Sequence, residues 1–97
     1  MSGAVRVGDV RTFDAGPWDL RSDCKACALK VLEEASEAVE AWKAWDHAMG
    51  TSEALASELA DVVQAACNLA AACGINLRVA LDACEERNRA RGRIADE

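Results

Sequence analysis

A chain of 97 residues with a formal charge of −6 is one small domain without an obvious internal repeat, and its acidity argues against a nucleic-acid polymer as partner. No stretch is apolar for long enough to span a membrane and no apolar leader follows Met1, so a cytoplasmic protein with no membrane partner is expected. Five cysteines, an odd number, fit a reducing compartment better than a disulfide framework.

Aromatic residues are scarce, Tyr is absent, and alanine is abundant from Ala54 to Ala83, which favours closely packed helices over sheet. One such chain builds only a small core. The predicted fold is therefore all-α: an antiparallel helical bundle completed by oligomerisation, with an irregular N-terminal arm.

Residues 1–22 form that arm. Val5, Val7 and Val10 alternate with Gly8, Asp9, Arg6 and Arg11, and Asp14-Ala-Gly16-Pro17 is turn chemistry, with Phe13 and Trp18 as anchors onto the helices. The helical domain covers 23–93. Ser22 or Asp23 caps a first helix that runs to about Asp46, with Ala28, Leu32, Ala35, Val39 and Trp42 at the spacing of a buried face. Glu33, Glu37 and Glu40 fall opposite, and Glu34 lies at the margin between the two faces.

His47 to Ser52 reads as a short loop with Thr51 or Ser52 as the next cap, making the flanking helices antiparallel neighbours. The second helix ends at Gly74. Its stripe of Leu55, Leu59, Val62, Ala66, Leu69 and Cys73 is widened by Val63, Ala65, Ala70 and Ala72, more than one partner helix would cover, so a second copy of the chain is expected against it. Asn76 caps a third helix with Leu77, Ala80, Leu81 and Cys84 inward, its last turns become basic, and Gly92 closes it; residues 94–97 fray.

Two acidic pairs stand out from this frame. Glu34 with Glu37 on the first helix, and Glu58 with Asp61 on the second, are three residues apart and so share a face. Like charges so placed repel. A hard cation preferring carboxylate oxygens, Mg²⁺ first and Mn²⁺ as the alternative, would hold them together. The plain alternative, a solvated helix face with Lys30 four residues before Glu34, suits Glu33, Glu40 and Glu53 but not Glu58 and Asp61, which border the most apolar helix.

Glu33-Glu34-Ala-Ser-Glu37 followed by Glu58-Leu-Ala-Asp61-Val-Val resembles the paired EExxE and ExxD signatures of the all-α NTP pyrophosphohydrolases, the MazG-like proteins, in their short phage-type form. Gly74-Ile75-Asn76 and Arg87-Asn88-Arg-Ala-Arg91-Gly92-Arg93 extend the likeness to roughly residues 25–93. The resemblance implies Mg²⁺-dependent cleavage of a nucleoside triphosphate between its α and β phosphates, and a homodimer or homotetramer. It assigns Glu34, Glu37, Glu58 and Asp61 to the metal, with Glu33 an additional ligand or water-orienting residue. Glu33 or Glu37 would take the proton of the attacking water. Phosphoribosyl-ATP pyrophosphohydrolase, a related member, is the rival within this chemistry; a non-catalytic helical interaction module is the rival outside it. A di-iron bundle needs Glu-x-x-His pairs, and Ala44 stands three residues before His47, the lone histidine.

For the substrate, Arg87, Asn88 and Arg91 are candidates for gripping phosphates, against the alternative that they only complement the helix dipole. Lys30 is a further candidate, with Lys43 below it. Asn68, two turns beyond Asp61, would touch substrate or bond across an oligomer interface. Trp45 would stack on a base, with packing as the plainer reading, whereas Trp42 reads as core. Cys24 and Cys27 have redox spacing but no preceding strand, so all five cysteines read as small structural residues.

Overall fold

The computed structural model describes residues 24–94, and those residues form three helices and no strand. Helix α1 spans Cys24–Asp46, α2 spans Ser52–Cys73 and α3 spans Leu77–Ala90. The arm with its anchors Phe13 and Trp18, the caps Ser22 and Asp23, and the terminal residues 95–97 lie outside the described residues.

Local chemistry sets the boundaries. Thr51 is extended and its hydroxyl accepts from the Ala54 N–H, while the Asn76 side chain accepts from the Val79 N–H, so each supplies an acceptor to an otherwise unpaired helix-start donor. Beyond α2, Gly74 is left-handed at φ 70°; its N–H bonds the Ala71 carbonyl and that of Ile75 bonds Ala70. This paired closure satisfies the last carbonyls of the helix. Gly92 closes α3 in the same way. At the end of α1 the left-handed position falls on Ala48, at φ 60°, where a Cβ is sterically disfavoured.

Helices α1 and α2 make the one extended helix–helix interface among the described residues. Its centre is small: Cys27 and Ala38 of α1 and Ala65 and Ala70 of α2 are the buried apolar residues. Val31, Glu34, Ala35, Ala41 and Ala44 continue the α1 side at intermediate burial. Small side chains let the two backbones approach closely, and Gly50 in the connecting loop does the same, since a Cβ there would meet the Ala44 Cβ at 3.0 Å.

The face expected to be buried on α1 is therefore corrected. Leu32 is 66% exposed, Val39 50% and Trp42 48%, and Ala28 is exposed as well. The seam used inside the chain is Cys27, Val31, Glu34, Ala38 and Ala41. Each lies one residue before a member of the expected stripe, about 100° round the axis. Trp42 is not core. On α2, Leu59 and Cys73 are exposed although their neighbours are partly covered. On α3, Ala80 and Leu81 are exposed rather than inward, because α3 turns away from α2 by 119° and packs only marginally. Large apolar side chains on all three helices thus stand open in the single chain.

Candidate active site

The paired helices bring three carboxylates to one point. Glu34 and Glu37 on α1 and Glu58 on α2 each offer an oxygen, and these oxygens all lie within 4.8 Å of one another. Glu34 is drawn in because it belongs to the α1 seam, and its side chain is only 14% exposed. Glu58 is half-covered by the same interface, and its Oε1 is buried without a hydrogen-bond partner among the described residues. A carboxylate with a buried, unpaired oxygen, close to two further carboxylates, is an unfavourable arrangement by itself, and a divalent cation would relieve it. The donor set, all oxygen and all anionic, fits a hard cation.

Asp61 is exposed and stands outside that trio. It lines, with Glu33 and Glu34, a cavity of about 630 Å³ between α1 and α2. The apolar wall of the cavity comes from Ala26, Cys27, Leu29 and Ala65, and its polar side from Lys30, Gln64 and Asn68. Gln64 Nε2 donates to Asn68 Oδ1 at 3.0 Å, so the two amides act as one unit on the α2 wall. Gln64 is no candidate from the sequence, and Cys27 is read there only as a small structural residue. Gln64 lies three residues after Asp61 and four before Asn68, and Cys27 lies seven before Glu34, so both share a face with a site residue; the helical register alone could have pointed to them.

Lys30 stands at the edge between cluster and cavity. Its Nζ donates to Glu33 Oε1 at 2.7 Å and lies 3.5 Å from Glu34 Oε2. The hydrogen bond that Lys30 donates to Glu33 and the charge of that carboxylate, joined by Glu34, hold the Lys30 ammonium above its ordinary pKa.

The remaining substrate candidates lie elsewhere. Trp45 is exposed near the end of α1 and does not line the cavity. Beside it, His47 Nδ1 bonds the Lys43 carbonyl at 2.8 Å. Arg87, Asn88 and Arg91 belong to the end of α3 and none lines the cavity. Asn88 is engaged within its own helix end: its Nδ2 donates to Cys84 Sγ at 3.5 Å and its Oδ1 accepts from Arg93 at 3.3 Å.

Among the described residues no single helix is long and apolar enough to cross a membrane. No curated protein and no solved structure matches the chain. The sequence model of one family does, phosphoribosyl-ATP pyrophosphohydrolase, over residues 13–88, which reaches back into the expected arm. That family generally uses a divalent metal, in keeping with the carboxylate cluster. With more than half of its length matched, the chain belongs to the phosphoribosyl-ATP pyrophosphohydrolase family and is an all-α pyrophosphohydrolase.

Proposed function

We propose that this pyrophosphohydrolase cleaves a nucleoside triphosphate, ribo or deoxyribo, between its α and β phosphates, giving the monophosphate and pyrophosphate with Mg²⁺ or Mn²⁺ as cofactor. The observation that carries the reading is the convergence of Glu34, Glu37 and Glu58 oxygens within 4.8 Å of one another, at a Glu58 carboxylate whose Oε1 is buried without a hydrogen-bond partner among the described residues. Glu34, Glu37 and Glu58 hold the ion, with Asp61 completing the set from the cavity wall. The bound ion supplies positive charge that offsets the carboxylates and the phosphates.

The chain's own residues do the rest. Glu33 or Glu37 takes the proton of the attacking water; Glu33 is on the cavity wall and outside the three-carboxylate group, and it is free to do so once phosphate oxygens draw the Lys30 ammonium away from it. Lys30, on the same wall, meets phosphate oxygens. The linked amides of Gln64 and Asn68 orient the nucleoside against the apolar side of the cavity. Arg87, Asn88 and Arg91, away from the cavity of their own chain, grip phosphates only if the assembly brings them to it.

The assembly proposed is a homodimer or homotetramer in which the open stripe of Leu32, Val39 and Trp42 completes an antiparallel bundle with a second copy. Such a copy would also cover Trp45, in which case that side chain packs instead of stacking on a base. Cys27, Cys67, Cys73 and Cys84 are free thiols, in keeping with action in the cytoplasm.

A second reading, phosphoribosyl-ATP as substrate, is favoured by the family match itself. It shares the triphosphate and the bond cleaved. Comparing kcat/KM for phosphoribosyl-ATP with those for the common ribo- and deoxyribonucleoside triphosphates separates the two: higher values for the plain triphosphates support the first reading, and a large preference for phosphoribosyl-ATP replaces it with the second. No pyrophosphate from any of them would leave the scaffold as a helical interaction module.

A further inference from the structure

We propose that Lys30 is the exchangeable counter-ion of the acidic cluster, a tethered ammonium that neutralises Glu34 while no metal is bound and is displaced onto Glu33 when a divalent cation enters. The inference rests on reading Glu34, Glu37 and Glu58 as the metal site. It starts from a double membership of Glu34. The same carboxylate contributes to the trio of converging oxygens and lies 3.5 Å from the Lys30 ammonium.

An ammonium and a dication cannot share that carboxylate without repelling each other. Lys30 has a second anchor ready. Its shorter contact, 2.7 Å, is to Glu33, which is not one of the three converging carboxylates. The lysine is 59% exposed and both acids are within one turn of it on the same helix, so the ammonium can move from a shared position to Glu33 alone by rotating its stem, with no change of backbone. Exposed pairs of this kind are worth little, which makes the exchange inexpensive. The displaced ammonium stays on the cavity wall, where Lys30 and Glu33 both lie. Lys30 thus links two states of one site: it balances charge in the empty cluster and leaves a cation beside the cavity in the loaded one.

The test is the Mn²⁺ dissociation constant of the full chain at low ionic strength, read from the EPR signal of the free ion, for the wild type, Lys30→Met and Lys43→Met. Lys43 pairs with Glu40 on the same helix at 3.6 Å and serves as the control for a general change of charge. Removing the competing ammonium is expected to tighten Mn²⁺ binding about two- to fivefold in Lys30→Met, and to leave Lys43→Met near the wild type. In the wild type, titration with Mg²⁺ is expected to shift the Cε–Hε NMR resonance of Lys30 and not that of Lys43. Equal affinities in Lys30→Met and the wild type, equal tightening in both variants, or an unmoved Lys30 resonance in a protein that binds Mg²⁺ would overturn the inference alone. Absence of metal binding in all three proteins would overturn the reading of the cluster beneath it.

Discussion

Glu34 of α1 and Glu58 of α2, both partly buried in the same interface, place carboxylate oxygens within 4.8 Å of each other. Two anions held across a helix pair work against the packing that brings them together. Without metal, Glu58→Gln is expected to match the wild type or exceed it by up to ~1 kcal/mol, since one of the mutually repelling charges is gone. With Mg²⁺ at about a hundred times its dissociation constant, the wild type should gain about 2.7 kcal/mol and the variant much less. Urea denaturation with and without Mg²⁺ measures both; equal gains in the two proteins would separate the cluster from the metal.

Asp61 differs from Glu58 in being exposed on the cavity wall. Asp61→Asn is accordingly expected to stay within about 0.5 kcal/mol of wild-type stability, as surface substitutions do, while losing turnover. Far-UV circular dichroism and denaturation beside a pyrophosphate assay check the pair of statements. Wild-type turnover in the variant would take Asp61 out of the site.

Gly74 and Ala48 occupy the same left-handed backbone conformation with opposite chemistry. Gly74→Ala introduces a disfavoured Cβ and is expected to destabilise by ~1 kcal/mol, and Ala48→Gly removes one and is expected to stabilise by about 0.5–1 kcal/mol. Chemical denaturation of both variants tests the pair, and the same sign of effect in both would contradict it.

The open stripe on α1 predicts association. Leu32→Glu places a charge where a second copy would pack, and it should weaken the oligomer by more than ~2 kcal/mol, about thirtyfold in dissociation constant. Sedimentation at graded concentration reads this directly. A wild type that remains monomeric at high concentration would remove the proposed assembly.

What could be read from the sequence, and what could not, follows from the range of the forces involved. Thr51, Asn76, Gly74 and Gly92 act on backbone groups a few residues away, so the starts and ends of α2 and α3 were legible. Glu58 could be singled out because it borders an apolar stripe on its own helix. The pairing face of α1 was not legible, because two adjacent stripes compete for α2. The one with Cys27 and Ala38 wins through close backbone approach against Ala65 and Ala70, a property of two helices together. The stripe with Leu32 and Trp42 carries the larger side chains and so dominates a reading of hydrophobic spacing. The register of each helix places Cys27 and Gln64 on a face with a site residue, but that both line one cavity depends on how α1 packs against α2.

The most direct measurement is product analysis of the full chain incubated with nucleoside triphosphates and phosphoribosyl-ATP, with and without Mg²⁺, beside Glu58→Ala under the same conditions. The expected result is pyrophosphate with the matching monophosphate, formed by the wild type only when metal is present and not by the variant. Orthophosphate with a diphosphate, or wild-type rates from Glu58→Ala, would contradict the assignment of the carboxylate cluster to α–β cleavage.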